Sequence, residues 1–130
     1  MSEFSTPPLE PGIKPGKVQA VTIMLLANGI LNILYALGVT GSIVLGTLGI
    51  GLICAPLTIL PGVLGVFEII YATNLMAMPP KTVKNLQTIA ILEIVCVISG
   101  NAISLVVGIL NLVFYNDPEV RGYLTSHQLI

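Results

Sequence analysis

Two glutamates and several asparagines lie inside apolar stretches of this sequence, where polar side chains are costly. Three similar phrases, GILNILY, GVFEIIY and GILNLVF, carry Asn32, Glu68 and Asn111 at their fourth position, and Glu93 lies in a further apolar run. No lysine or arginine occurs within these runs to neutralise either acid. Two carboxylates close together cannot both ionise cheaply, so one holds a proton or the pair binds a cation.

The sequence therefore predicts a proton or cation site formed by Glu68 and Glu93, with Asn32 and Asn111 as additional ligands. Two alternatives stay open: each acid is protonated and hydrogen-bonded separately or lies near the lipid head groups, and the asparagines only join helices. No other chemistry has residues to carry it, since there is one histidine, two separate cysteines and no phosphate-binding glycine motif. We expect no catalytic residue, no metal centre and no cofactor, and predict that the protein is not an enzyme.

Composition indicates that lipid rather than water surrounds most of this chain. Of its 130 residues, 55% are hydrophobic and 8% are charged, whereas soluble domains carry about 25% charged residues. The net charge of −1 provides no basic surface for nucleic acid. The expected partner is the lipid bilayer.

The elements that must position the acids are apolar helices. Charges avoid residues 18–37, 42–76 and 86–115 almost entirely, and about 20 helical residues cross a bilayer. Pro56 and Pro61 disfavour a continuous helix in the second run, so it is predicted to form two helices. The fold class predicted is all-α, an integral membrane helical bundle with four transmembrane helices at about 18–37, 42–55, 57–76 and 86–115.

Small residues at intervals of four predict close contacts between these helices. In the last run such a stripe also favours one long helix rather than a turn at Ser99–Asn101. The predicted helix-packing residues are Gly38, Ser42, Gly46, Gly51, Ala55, Gly100, Ser104 and Gly108.

Polar segments flank the bundle of residues 18–115. Residues 1–17, rich in proline and glycine, are predicted to be extended or disordered. Residues 116–130 form a C-terminal tail with a short interfacial helix that starts at Pro118 and is capped by Asp117.

Four crossings put both termini in the cytoplasm with Lys14, Lys17 and Arg121, and leave Lys81 and Lys84 outside. A rival topology makes the second run one span and the last run a hairpin. That arrangement puts all five basic residues in the cytoplasm, but its helix lengths fit a bilayer less well.

Two segments resemble parts of known proteins. The hairpin GTLGIGLICAPLTILPGVLGVFEIIYA and the exit GILNLVFYNDPEVRGYL are similar to pieces of small bacterial inner-membrane proteins of about four helices. The resemblance covers about half of the chain and implies a multi-pass inner-membrane location. That family has no established activity, so the resemblance assigns no catalytic residue.

The leading functional hypothesis is a non-enzymatic membrane protein that associates with copies of itself, or with a larger complex, through its small-residue faces. The alternative is a proton- or cation-conducting transport unit that uses Glu68 and Glu93.

Overall fold

The structure is a computed structural model that describes residues 13–81 and 86–127. Within these residues the chain is all-α and contains no strand, as predicted. The α-helices are α1 (Gly16–Gly46), α2 (Ala55–Met76), α3 (Leu86–Val95), α4 (Ala102–Tyr115) and α5 (Pro118–Ser126). Two short 3₁₀ helices, Ile50–Cys54 and Cys96–Ser99, precede α2 and follow α3.

The first two helices form an antiparallel hairpin whose turn closes at Gly49. Gly49 adopts a φ of 94°, which favours glycine, and its N–H donates to the carbonyl of Val44 at 2.8 Å. The helix α1 runs through residues 38–46 without a break. The predicted separation between helices at 18–37 and 42–55 is therefore wrong, because nothing in residues 38–41 terminates a helix and Ser42 Oγ bonds to the carbonyl of Gly38.

The prolines of the second run do not divide it, contrary to the sequence prediction. Pro56 lies in the first turn of α2, where its missing N–H has no helical partner to lose. Pro61 lies inside α2 and leaves the carbonyl of Leu57 without its helical donor. Ser99 Oγ donates to that carbonyl at 3.2 Å, so a side chain of another segment replaces the missing bond.

The last apolar run is a hairpin rather than the predicted single helix over 86–115. The 3₁₀ helix Cys96–Ser99 follows α3, Gly100 turns the chain with a φ of 81°, and Asn101 caps α4 by accepting the N–H of Ser104 at 3.2 Å. Cys96 and Gly100 therefore do not share a helix with Ser104 and Gly108. The arrangement found is the rival one, with one helical segment in the middle and a hairpin at the end.

The α3–α4 hairpin is shorter than the α1–α2 hairpin and covers only part of it. The 31 residues of α1 extend about 46 Å, whereas the 14 residues of α4 extend about 21 Å. The turn of the short hairpin reaches Tyr35, whose hydroxyl donates to the carbonyl of Ser99 at 2.9 Å. We call the end of the bundle near Gly49 the tip, and the opposite end, which carries α5, the α5 end.

The helix α5 packs across the α5 end. It begins at Pro118 and is capped by Asp117, whose side chain accepts the N–H of Glu119 at 3.0 Å, as predicted. Lys17 joins it to α1 through an ion pair of 2.8 Å with Asp117, which holds the pKa of Asp117 below its usual value. Val120, Tyr123 and Leu124 are buried against the apolar core of this end.

The distribution of side chains is inverted relative to a soluble protein. Leu48, Ile98 and Leu37 are 95%, 72% and 69% exposed, whereas Glu68 and Glu93 are 0% exposed. Two helical segments, Gly16–Gly46 and Ile50–Met76, are long and apolar enough to span a membrane, and a third results if α4 and α5, bent by 74°, count as one. These features are compatible with membrane residence, with two or three spans rather than the predicted four.

Part of the sequence prediction lies outside the described residues. Of the predicted extended tail 1–17, residues 1–12 and thus most of its prolines are outside them, while α1 already begins at Gly16. Lys84 is also outside. Of the other four basic residues, Lys14, Lys17 and Lys81 lie at or next to helix termini at the α5 end, and Arg121 lies within α5.

Close contact between α1 and α2 requires glycine at two positions. A Cβ at Gly65 would lie 2.5 Å from the carbonyl oxygen of Gly29 and 3.0 Å from Cβ of Asn32. Even the smallest side chain would therefore push the two helices apart.

We predict that Gly65→Ala lowers the free energy of unfolding in detergent by about 1–3 kcal/mol, the usual cost of overpacking a close contact. Gly41→Ala is the matched control, because no atom lies within 4 Å of a Cβ there and alanine improves helix propensity by up to about 1 kcal/mol. Equal effects of the two substitutions on denaturation would contradict the close packing of α1 on α2.

Candidate functional site

The polar side chains predicted to act together meet in the centre of the bundle. Glu68, Glu93, Asn32 and Asn111 come from α2, α3, α1 and α4 respectively, and each is 0% exposed. The structure therefore brings these four side chains together, although the helices reach this place by a different topology than predicted. We call Glu68 and Glu93 the dyad.

Within the first hairpin, an amide holds one acid. Asn32 Nδ2 donates to Oε1 and Oε2 of Glu68 at 3.0 and 3.1 Å. Gly29 and Gly65 lie three residues before these two side chains and bring the backbones of α1 and α2 together. The short Asn and Glu side chains can then meet across the interface.

The second hairpin repeats this unit. Asn111 Nδ2 donates to Oε1 and Oε2 of Glu93 at 3.2 and 3.0 Å. Three residues before them, Gly108 packs against Ala90, and a Cβ on Gly108 would lie 2.8 Å from the carbonyl oxygen of Ala90. The phrase AILE ending at Glu93 is therefore a fourth copy of the repeated phrase. This copy was not predicted from the sequence because alanine replaces glycine in it.

Asn28 connects the two hairpins through a single amide nitrogen. Its Nδ2 lies 3.1 Å from Oε1 of Glu68, 3.4 Å from Oε1 of Glu93 and 3.2 Å from Oγ of Ser104. The nitrogen of Asn28 thus lies between one oxygen of each acid. Asn28 was not among the predicted site residues, but its position one helical turn before Asn32 was the available signal.

Direct hydrogen bonds close the site on the side of the tip. Asn32 Oδ1 accepts from Asn101 Nδ2 and, at 2.8 Å, from Ser104 Oγ. Asn101 thus both holds Asn32, which bonds to Glu68, and caps α4. In the sequence, Asn101 is recognisable only as a turn signal and Ser104 only as a helix-packing residue.

The dyad has neutral polar neighbours and no basic one. Among the described residues, Lys17 forms ion pairs only with Asp117 and Glu119, and the basic side chains belong to the α5 end. No group of three or more His, Cys, Asp or Glu residues in the described part of the chain could hold a metal ion. Chemically, the arrangement presents two carboxyl groups that accept from amide N–H groups and can share a proton.

Three buried polar side-chain atoms have no hydrogen-bond partner among the described residues. They are Asn28 Oδ1, Asn111 Oδ1 and the hydroxyl of Tyr71. Burying such an atom without a partner costs about 1–3 kcal/mol.

The predicted packing residues divide into two groups. Gly108 and Ser104 pack inside the bundle, Gly51 packs on Ile43 and Thr47 next to the turn, Ala55 begins α2, and Gly100 forms the second turn. Gly38, Ser42 and Gly46 instead share an exposed face of α1, and no atom lies within 4 Å of a Cβ at either glycine.

No family model, curated protein or solved structure matches this chain.

We predict that Asn111→Leu lowers the free energy of unfolding by about 2–4 kcal/mol, because it removes both amide bonds to a buried acid. The matched control is Asn116→Leu, which changes an exposed asparagine on the same helix end. Denaturation of both variants in the same detergent checks this. If Asn111→Leu is as stable as wild type, the amide does not support Glu93.

Proposed function

We propose that this chain is an integral membrane protein whose working site is the dyad, and that the dyad binds one exchangeable proton. The observation that carries the proposal is the shared amide of Asn28, which lies within 3.4 Å of an oxygen of each fully buried acid. Proton binding at this site is then coupled to the packing of the two hairpins.

Charge balance supports the proposal. Two unit charges 4 Å apart repel by about 4 kcal/mol at an effective dielectric constant of 20, before the cost of removing each carboxylate from water. The neighbouring asparagine and serine side chains are neutral and cannot balance a charge of −2. At least one positive charge must therefore accompany the dyad.

A proton suits the neighbouring groups better than a metal ion does. Hard cations such as Na⁺ or Mg²⁺ require a shell of oxygen ligands. The amides of Asn28, Asn32 and Asn111 turn their nitrogens toward the acids, which favours carboxyl oxygens as acceptors. A proton between two such oxygens needs no further ligand.

The position of the dyad supports coupling to a conformational change. Glu68 belongs to the α1–α2 hairpin and Glu93 to the α3–α4 hairpin. Loss of the shared proton would put like charges on both sides of the interface, and the repulsion would separate the hairpins. This is the physical basis for a proton-coupled transporter or sensor, the alternative that the sequence favoured second.

We further propose that α1 and α2 span the bilayer and that the α3–α4 hairpin enters it from the α5 end without crossing. Irregular backbone at membrane depth is tolerated where it is buried in protein, and Tyr35 and Asn101 satisfy the turn at Gly100. Basic residues at the α5 end favour a cytoplasmic location for that end and both termini. The multi-pass location in a bacterial inner membrane follows from the resemblance alone.

The proton prediction can be tested by infrared titration of the protein in liposomes. We expect a protonated-carboxyl band at pH 7 that disappears in the variant carrying both Glu68→Gln and Glu93→Gln. Glu119→Gln, an acid of α5, is the control and should leave the band unchanged. Absence of the band in wild type at pH 7, or its loss when Na⁺ is added at constant pH, would contradict a shared proton.

Self-association is a second candidate function, favoured by the exposed face of Gly38, Ser42 and Gly46. Small residues on a membrane helix allow the backbone of a second helix to approach closely. The α3–α4 hairpin ends below this face, at Tyr35, and leaves it uncovered within the chain. A second copy of this protein or a subunit of a larger membrane complex would pack there.

We predict that Gly46→Leu lowers the oligomeric fraction in lipid, because the larger side chain blocks helix approach. Gly16→Leu, also at a position without neighbours within 4 Å but at the other end of α1, is the control. Cross-linking in liposomes at several protein-to-lipid ratios measures the effect. An unchanged oligomeric fraction would show that the face of Gly38, Ser42 and Gly46 is not the interface.

A further inference from the structure

We infer that the proton of the dyad resides on Glu93, where the amide of Asn111 turns to accept it, while Glu68 stays ionised. The inference rests on the proposed function and adds to it which acid carries the proton. The α1–α2 hairpin then holds a fixed negative charge, and the α3–α4 hairpin holds the exchangeable proton.

The orientation of the amides around Glu68 begins with a backbone group that can only donate. The N–H of Ser104, in the first turn of α4, has no helical partner and donates to Oδ1 of Asn101 at 3.2 Å. The amide nitrogen of Asn101 therefore faces Asn32 and requires an acceptor there. Oδ1 of Asn32 is that acceptor. The nitrogen of Asn32 must consequently face Glu68.

The hydroxyl of Ser104 fixes a second amide in the same way. This hydroxyl carries one proton, which it donates to Oδ1 of Asn32 at 2.8 Å. Toward Asn28 the hydroxyl oxygen can then only accept, and Nδ2 of Asn28 lies 3.2 Å from it. Turning the Asn28 amide over would set two acceptors against each other. Asn28 therefore also presents its nitrogen to Glu68, at 3.1 Å from Oε1.

Glu68 thus receives N–H donors that cannot be exchanged for acceptors. Nδ2 of Asn32 lies 3.0 and 3.1 Å from its two oxygens, and Asn28 adds a further donor to Oε1. A proton on the side of the carboxyl that faces Asn32 would point at an N–H group, whereas N–H donors to both oxygens stabilise the ionised form. Glu68 is therefore the acid that stays ionised.

Glu93 has no comparable constraint. Nδ2 of Asn111 lies 3.2 and 3.0 Å from its two oxygens, but Oδ1 of Asn111 has no partner among the described residues. This amide can turn over without breaking another side-chain hydrogen bond, and its Oδ1 then accepts from a protonated Glu93. Asn28 lies 3.4 Å from Glu93, farther than its 3.1 Å from Glu68. The proton therefore finds an acceptor at Glu93.

Other charges do not offset this difference between the two acids. Within the part of the chain that the structure describes, the hydrogen bonds to the dyad come from asparagines of α1 and α4. The other buried titratable side chains there are Cys96, Tyr71 and Tyr123. A thiol and a phenol are neutral at pH 7. The asymmetry of the amides thus decides where the proton lies.

Solid-state NMR of the wild-type protein in lipid tests the assignment. Uniform ¹³C and ¹⁵N labelling connects each side-chain carboxyl carbon to its own backbone. At pH 7 the carboxyl carbon of Glu93 should have the shift of a protonated acid, and that of Glu68 the shift of a carboxylate. The reverse assignment, or two equal intermediate shifts, would overturn the inference while leaving the shared proton intact. Two fully ionised or two fully protonated carboxyls would overturn both the inference and the proposed function.

A matched pair of glutamine variants tests the same assignment through denaturation in detergent. Glu93→Gln replaces a protonated acid by a neutral side chain of the same shape, and the amide of Asn111 can turn to match it. Glu68→Gln instead sets an amide nitrogen against the fixed N–H groups of Asn32 and Asn28. It should raise the unfolding equilibrium constant about tenfold or more, as expected for a buried donor without a partner, and the change in Glu93→Gln should be smaller.

A loss of stability in Glu93→Gln that equals or exceeds the loss in Glu68→Gln would contradict the fixed orientation of the amides around Glu68. A Glu68→Gln variant that does not fold, beside a Glu93→Gln variant that does, is the expected order. If neither variant folds, the wild-type NMR shifts decide.

Discussion

The burial of two acids side by side is the feature on which the rest of the structure depends. Glu68 and Glu93 each receive both of their main hydrogen bonds from one asparagine of the facing helix, and Asn28 contacts them both. Their side chains are short, so the helices must approach closely at Gly29, Gly65, Ala90 and Gly108. Glycine and alanine thus set the helix spacing, and this spacing allows the amide contacts. Because the amides are neutral, a neutralising charge must also accompany the buried acids.

The two turns of the chain serve the same requirement. A single continuous helix through residues 86–115 would place Asn111 about 27 Å from Glu93 along its axis, at about 1.5 Å per residue. The turn at Gly100 instead folds α4 back along α3 and brings the two side chains together. Pro61 contributes to this arrangement, since the carbonyl that it leaves free accepts the hydroxyl of Ser99 and docks the turn on α2. The proposed proton binding and the topology therefore depend on the same contacts.

Sequence alone predicted the polar centre better than the path of the chain. Glu68, Glu93, Asn32 and Asn111 stood out because charges and amides are rare in apolar runs, and that argument does not depend on topology. The predicted helix boundaries were wrong because the local sequence signals for them were ambiguous. Pro61 breaks a helix only if no other group satisfies Leu57, and the partner, Ser99, is 42 residues away. Likewise, the spacing of Glu93 and Gly108 puts them on one face of a single helix, yet the same two residues also meet across a hairpin. Asn28 and Asn101 gained their roles only from tertiary contacts.

The central claim is that Glu68 and Glu93 together hold one proton at neutral pH. Solid-state NMR of the protein in lipid, with ¹³C-labelled glutamate and assignment by the single Glu68→Gln and Glu93→Gln variants, measures this directly through the shifts of the side-chain carboxyl carbons. The account predicts that at pH 7 the pair carries one protonated and one ionised carboxyl, or two equivalent carboxyls with intermediate shifts. Two fully ionised carboxylates would contradict it.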